Sequence, residues 1–390
     1  MRFFNFFGII TFIISVSSIF LQFFSNFFSN LISPMIIVST VFFLLSNKIN
    51  KKNLKLIVPI ILILSLNLFF SVIVYGNTIS NAARFFLVLI VILISITIKP
   101  NTKIITFFLA ISVFFTIFLI YKEFYYVLRP GQWIVDRKIW GLNGIGDVYS
   151  YNNWFYRIQV KGNALVPVSF FVTFYYVKEK KIRVMLLLLF LVGIIIAGNT
   201  MFIIGLIVFY FMDIFFLRRD QIKKLTLFRL ILILVGLIGI FVMIFYLIGM
   251  ISLKQESSIP TRIDQLNVLM QNYSDTLLGT IFGKGLGNVL INVVTPFRDY
   301  SGDTYFELQV IYIINQIGIF VMMIYLFIYH ELIKNNWKSK CTKICLIAYL
   351  VYAVSNPYIF DVTNIIVVLL LSSLDNHLKK EKESLVVIDG

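Results

Sequence analysis

Residues 104–121 read IITFFLAISVFFTIFLIY, an apolar run without a single charged side chain. A bilayer core of about 30 Å requires about 20 such residues in one helix, so this run predicts a membrane span. Comparable runs recur along the chain, which is 59% hydrophobic and 13% charged and has a mean hydropathy of +0.93. A water-soluble domain would carry about 25% charged residues. The sequence therefore predicts an all-α polytopic integral membrane protein.

The apolar runs predict about twelve transmembrane helices within a single transmembrane domain over residues 1–390. They are expected near 3–24, 31–46, 56–75, 82–98, 104–121, 163–177, 182–197, 200–217, 228–250, 305–330, 344–355 and 360–374. The last two belong to one apolar run that Asn356 and Pro357 interrupt. Because proline lacks a backbone donor and clashes with the preceding turn, we expect a hairpin that turns at 356–361. A single kinked helix is the alternative.

The basic residues predict the orientation of these spans. Most of the 34 Lys and Arg lie in short connections on one side, as the positive-inside rule requires of cytoplasmic loops. Both termini are therefore expected in the cytoplasm. The net charge of +16 follows from this pattern of short basic runs between apolar stretches, and no nucleic-acid partner is expected.

Two long connections, about 122–162 and 251–304, are expected on the outer side. Neither carries strong secondary-structure signals, and long loops of this kind are usually functional. Both contain glycine, aromatic and charged residues, among them Trp133, Trp140 and Trp154 in the first. This mixture is typical of a surface that stacks on sugar rings and binds their hydroxyls. An interfacial aromatic belt is the alternative.

The outer side offers carboxylates as candidate general bases. Both histidines, His330 and His377, fall at predicted cytoplasmic helix ends. Asp299, Asp303 and Glu307 are spaced by four, which would align them on one helical face, although Gly302 is expected to start the helix after Asp299. Glu307 is expected one turn inside the tenth span. An ionisable residue at membrane depth is by default a functional hypothesis. A carboxylate merely paired with a nearby arginine is the alternative, and a metal site at the three acids is a weaker one.

Candidate anion-binding residues lie on the same side. The planar fork of arginine suits phosphate oxygens, and Arg84, Arg157 and Arg262 are placed at the mouths of spans or within the second loop. Lys284 and Arg298 are further outer cations. For each of them, a solvated or headgroup-facing charge is the alternative.

A glycine-rich segment, FGKGLGN at 282–288, superficially looks like a phosphate-cradling loop. It neither follows a strand nor lies on the nucleotide side of the membrane, so a nucleotide site is not expected. The glycines instead predict a tight turn with close backbone approach. The predicted inner side carries no paired-carboxylate motif, so a cytosolic nucleotide-sugar donor is not expected either.

Several local patterns, in this order and spacing, suggest a family. They are Arg157 with Gly162-Asn163-Ala164, Arg262 ahead of the glycine segment, Glu307-Leu308-Gln309, Gly318 and Asn356-Pro357. Together with the predicted spans and long outer loops, the chain resembles the bacterial O-antigen polymerase and O-antigen ligase superfamily of membrane glycosyltransferases. The local patterns cover residues 150–375, and the remainder resembles the family in topology alone.

The resemblance implies transfer of a glycan from an undecaprenyl-pyrophosphate carrier on the periplasmic face of the bacterial inner membrane. Ligases pass the glycan to lipid A-core, and polymerases pass it to another lipid-linked repeat unit. It implies a metal-independent reaction without cofactors, and a chain-length regulator and a flippase as partners beside membrane lipid. Glu307 or Asp303 would be the base. Substrate binding would fall to Arg84, Arg157, Arg262, Asn163, Lys284 and Arg298.

Two departures from the family pattern bear on the choice between activities. Ligases carry a histidine where this chain has Glu307, which favours a polymerase of lipopolysaccharide biosynthesis. Many members place an arginine just after the seventh span, where this chain reads Gly198-Asn199-Thr200-Met201. A ligase, a lipid-linked oligosaccharide flippase and a peptidoglycan polymerase are the alternatives. Flippases usually show two similar halves with short loops, unlike this lopsided chain.

Overall fold

The computed structural model describes residues 2–22, 25–47, 50–151, 155–217, 260–273, 277–291, 293–295, 299–304 and 306–388. The first part forms helices α1 (Arg2–Leu21), α2 (Asn26–Ser46), α3 (Lys51–Ile73), α4 (Ile79–Thr97) and α5 (Lys103–Leu128). There follow α6 (Gln132–Leu142), strands β1 (Gly146–Tyr151) and β2 (Phe155–Val160), α7 (Val166–Tyr176), α8 (Lys180–Ala197) and α9 (Thr200–Met212). The last described part contains α10 (260–273), α11 (Leu277–Phe282), α12 (Gln309–Asn336), α13 (Lys340–Ala353) and α14 (Val362–Ile388).

Seven described helices are long and apolar enough to cross a membrane, which confirms the helical membrane class. They are Arg2–Leu21, Phe27–Ser46, Lys51–Ile73, Ile79–Thr97, Lys103–Leu128, Thr200–Leu217 and Gln309–Asn336. They match the first five, the eighth and the tenth predicted spans. Helix α3 is an example of an apolar surface on such a helix. One of its faces is lined by four side chains that are each more than half exposed: Leu62, Leu66, Phe69 and Ile73. Such a stripe suits lipid as its solvent.

The count of twelve spans stays a prediction. The predicted span at 163–177 contains only 11 residues of α-helix in α7, or roughly 16 Å at 1.5 Å per residue. The predicted span at 182–197 corresponds to α8, whose first turn carries Lys180, Lys181 and Arg183. The predicted span at 228–250 lies outside the described residues. The last two correspond to α13 and α14, and α14 lies at the centre of the protein, with Ile365 to Leu371 fully buried.

The predicted hairpin at 356–361 is confirmed. Helix α13 ends at Ala353 and α14 begins at Val362, with turn residues between them. The side-chain Nδ2 of Asn356 donates to the Tyr352 carbonyl at 2.8 Å, which satisfies a group that the helix end leaves free. Because Pro357 has no backbone donor, the first helix cannot continue through it.

The first long connection has regular structure that the sequence did not signal. Helix α5 continues to Leu128, α6 follows, and β1 and β2 pair antiparallel from Gly146↔Val160 to Tyr151↔Phe155. The hairpin is attached to the bundle by the backbone N–H of Tyr156, which donates to the Glu123 carboxylate at 2.8 Å. Strand pairing depends on such partners rather than on local propensity.

Candidate functional site

The glycine segment packs against a break in α12. Gly318 has φ 77° and ψ 162° inside that helix, so the carbonyls of the preceding turn lose their helical donors. The backbone nitrogens of Lys284 and Gly285 supply replacements, donating to the carbonyls of Asn315 at 2.8 Å and Gln316 at 2.9 Å. Irregular backbone at membrane depth is tolerated only when protein satisfies it in this way.

Side chains from α3 and the α3–α4 turn hold the other edge of the segment. Asn67 accepts from the Leu286 N–H at 3.1 Å and donates to the Phe282 carbonyl at 3.2 Å. Asn77 donates to the Lys284 carbonyl at 3.2 Å. Gly283, Gly285 and Gly287 all have positive φ. The predicted tight turn with close backbone approach is therefore confirmed.

Helix α10 is fixed to α12 beside this segment. Asn315 donates from Nδ2 to the Leu269 carbonyl at 3.2 Å, and Gln265 accepts from the Leu308 N–H at 3.4 Å. These contacts bring Arg262 to Glu307, with Nε 2.9 Å from Oε2. Both side chains are 37% exposed. The pairing of Glu307 with a nearby arginine, which the sequence offered as the alternative, is therefore present, and the pair is accessible at the surface.

The predicted alignment of three acids on one helical face is wrong. Helix α12 begins at Gln309, so Glu307 precedes it and Asp299 lies in an isolated bridge with Val294. The backbone N–H of Ser301 donates to Asp299 at 2.8 Å and holds the pKa of that carboxyl below its usual value. The left-handed Gly302 turns the chain between it and Asp303.

Asp303 and Arg84 converge on the first turn of α12. Both lie within electrostatic range of the Tyr312 hydroxyl, and Arg84 also lies within range of Asp361. Arg84 is exposed at the start of α4, with Cζ 5.9 Å from the Phe85 ring. A cation and a carboxylate from distant segments therefore act on Tyr312, in the first turn of the helix that follows Glu307.

Arg157 is buried, with 5% of its surface exposed. Its Nε donates to the carbonyl of Ala197, the last residue of α8, at 3.2 Å. The aliphatic part of the Arg157 side chain packs against Gly198. A Cβ atom added to Gly198 would lie 2.7 Å from Cγ of Arg157. A cation at a helix C-terminus stabilises the end carbonyls. Arg157 thus occupies the space beside Gly198, and its role in binding substrate stays a prediction.

Asn163 is also buried, and its Nδ2 donates to the Ile158 carbonyl at 2.6 Å. Its Oδ1 has no hydrogen-bond partner within the described chain. Lys284 contributes its backbone to the α12 break, as described above. Arg298 lies outside the described residues.

Aromatic side chains of the first long connection pack internally instead of forming an open sugar platform. Trp140 and Tyr156 are buried, and Trp133 packs on Tyr156 with ring centroids 6.3 Å apart. Burial and the hydrogen bond to Asp147 raise the pKa of Tyr149 to about 12, so its hydroxyl stays protonated. Trp154 lies outside the described residues. The expectation that these tryptophans form a surface for stacking on sugar rings is wrong for Trp140, because its side chain is buried.

Sequence reasoning missed the amide that joins two parts of this site. Gln309 donates from Nε2 to the Phe360 carbonyl at 3.2 Å and accepts from the Phe360 N–H at 2.8 Å. It ties the start of α12 to the 354–361 turn, where Lys161 pairs with Asp361 at 3.2 Å. A glutamine at the edge of an apolar run was the available signal, because buried polar groups require partners.

Asp361→Asn is expected to destabilise the protein by about 1–2 kcal/mol, because Lys161 loses its partner in a mostly buried setting. Glu383→Gln is the matched control: its pair with Lys379 is exposed and contributes little. The measurement is the apparent melting temperature of each purified variant in one detergent. Equal melting temperatures for the two variants would contradict the expectation.

Among the described residues, no group of three His, Cys, Asp or Glu could hold a metal ion. No protein-family model, curated protein or solved structure matches the chain.

Proposed function

We propose that this membrane protein is a glycosyltransferase that polymerises lipid-linked oligosaccharide repeat units on the outer face of a bacterial inner membrane. The observation that carries the proposal is the accessible Arg262–Glu307 pair at the start of α12. It combines a carboxylate that can accept a proton with a guanidinium that can bind phosphate oxygens.

In the proposed reaction, the acceptor sugar hydroxyl gives its proton to Glu307 as its oxygen attacks C1 of the donor glycan. The bond between C1 and the pyrophosphate oxygen breaks, and its electron pair leaves with undecaprenyl pyrophosphate. Asp303 is the alternative base. Arg262 would turn from Glu307 toward the leaving pyrophosphate, and such electrostatic stabilisation is commonly the largest catalytic contribution.

Arg84 is the second candidate for the pyrophosphate, because it is exposed and faces the same first turn of α12. Arg157 fits a supporting role. It reaches the end of α8 beside Gly198, where the family resemblance leads us to expect an arginine. Its burial favours orientation of that helix end over direct contact with a lipid-linked substrate.

A transporter is the competing proposal, since transporters bind substrates at broken helices. The break in α12 does not favour it. The backbone nitrogens of Lys284 and Gly285 already donate to the Asn315 and Gln316 carbonyls, so the break is satisfied by the protein itself.

The test is the surface-polysaccharide ladder of the source bacterium with and without this gene. Polymerisation predicts that deletion reduces a long ladder to core plus one repeat unit, because ligation and flipping still operate. Complementation with the wild-type gene should restore the ladder. If every repeat-bearing species disappears instead, ligation or flipping replaces polymerisation as the function.

A further inference from the structure

A cavity of about 420 Å³ opens at the end of the protein away from Glu307. It lies between the start of α1, the end of α2, the α4–α5 connection and α14. Helix α4 runs between the two sites, since Arg84 lies in its second turn and Lys99 lies two residues after its end at Thr97. At 1.5 Å per residue they are roughly 20 Å apart. No residue of the proposed catalytic site lines the cavity.

Three cations line this cavity, and no acid does. They are Arg2, Lys99 and Lys380, and none of them forms an ion pair within the described chain. The acid next to Lys380 in sequence, Glu381, is paired with Lys178 at 2.7 Å. Like charges facing one space repel each other, and an anion in that space would relieve the repulsion.

An adjoining cavity of about 220 Å³ has the acid Asp375 in its lining. That carboxylate accepts from the backbone N–H groups of Lys338 at 3.2 Å and Ser339 at 2.7 Å. Its oxygens are thus held at the start of α13, and Asp375 does not line the larger cavity.

Amide side chains complete the lining. Asn5 and Asn376 face the larger cavity, and neither side chain is hydrogen-bonded to another residue of the described chain. Guanidinium, ammonium and amide groups together supply charge and directional N–H donors. Phosphate oxygens accept hydrogen bonds from both kinds of donor, and those from charged groups are the stronger.

We propose that this cavity binds a phosphate group, held by Arg2, Lys99 and Lys380 with Asn5 and Asn376. All three cations are exposed: Arg2 begins α1, Lys99 lies two residues after α4, and Lys380 lies within α14. The ends of apolar, span-length helices such as α1 and α4 are where lipid headgroups lie. The phosphate can belong to an anionic phospholipid or to a soluble anion. The site does not depend on the glycosyltransferase proposal, because the two share no residue.

The experiment uses full-length protein in nanodiscs of phosphatidylcholine, with or without phosphatidylglycerol. Native mass spectrometry counts retained phosphatidylglycerol, and melting temperature in detergent is followed during titration with inorganic phosphate. The test variant is Arg2→Gln/Lys99→Gln/Lys380→Gln. Each removed charge should weaken phosphatidylglycerol binding roughly fivefold, giving about 100-fold in the triple variant.

The matched control is Lys52→Gln/Lys55→Gln/Lys181→Gln, which removes the same charge from exposed positions outside the cavity. It should retain phosphatidylglycerol, as should Lys99→Arg/Lys380→Arg. If inorganic phosphate stabilises the wild type but not the test variant, the ligand is a soluble anion. If the wild type retains phosphatidylglycerol but is not stabilised by inorganic phosphate, the ligand is the lipid headgroup. Equal binding of both probes by wild type and test variant, or equal loss in the control, overturns the proposal.

Discussion

Glu307→Gln is expected to abolish long-chain polymer while the protein stays at normal levels in the membrane. Glutamine keeps the size of the side chain but cannot accept the hydroxyl proton. General-base catalysis commonly contributes 10²–10⁴-fold to a rate, and a loss of about that size would leave only unpolymerised repeat units. The measurement is the polysaccharide ladder of a deletion strain complemented with the variant, alongside an immunoblot of its membranes.

Glu331→Gln is the matched control, because it makes the same change near the far end of the same helix, where Glu331 pairs with Lys334. It should support a full ladder. Loss of the Arg262 ion pair could also unfold the site, so the melting temperatures of wild type and Glu307→Gln must be compared. A variant that melts as wild type does and yet makes a normal ladder removes Glu307 from the mechanism.

Gly283→Ala is expected to prevent correct folding. Gly283 has φ +84°, and its added Cβ would lie 2.6 Å from the Gly318 nitrogen and still closer to the Gln316 carbonyl. These are backbone atoms of the α12 break, so they cannot rotate away. We expect a loss of at least about 3 kcal/mol, above that of ordinary substitutions. Monodisperse protein after detergent extraction and its melting temperature are the measurements.

Gly302→Ala is the control for backbone conformation alone. Gly302 has φ +72°, but its added Cβ would meet nothing within 4 Å. It should therefore cost only about 1–2 kcal/mol, the penalty for the left-handed conformation. If both alanine variants lose the same stability, close packing of the glycine segment against α12 is not what the fold requires.

The sequence was sufficient to predict the class of protein, most of the described apolar helices and two local turns. Apolar run length is a property of each segment by itself, because lipid dissolves any sufficiently long apolar helix. The turn at Pro357 and the glycine segment at 283–287 were likewise predictable, since proline and glycine restrict or free the backbone whatever surrounds them. The count of twelve spans stays a prediction, because apolar composition alone does not determine helix length: α7 has only 11 residues.

Only the tertiary structure decided which polar residues meet. Arg262 and Glu307 are brought together because Asn315 holds α10 against a helix broken at Gly318. The sequence predicted that Arg157 is placed to bind a lipid-linked pyrophosphate. In the structure, Arg157 lies in the paired strand β2 and its side chain reaches the end of α8. Hydropathy reports how one segment interacts with its solvent, whereas an ion pair between distant segments depends on the packing of all the helices that separate them.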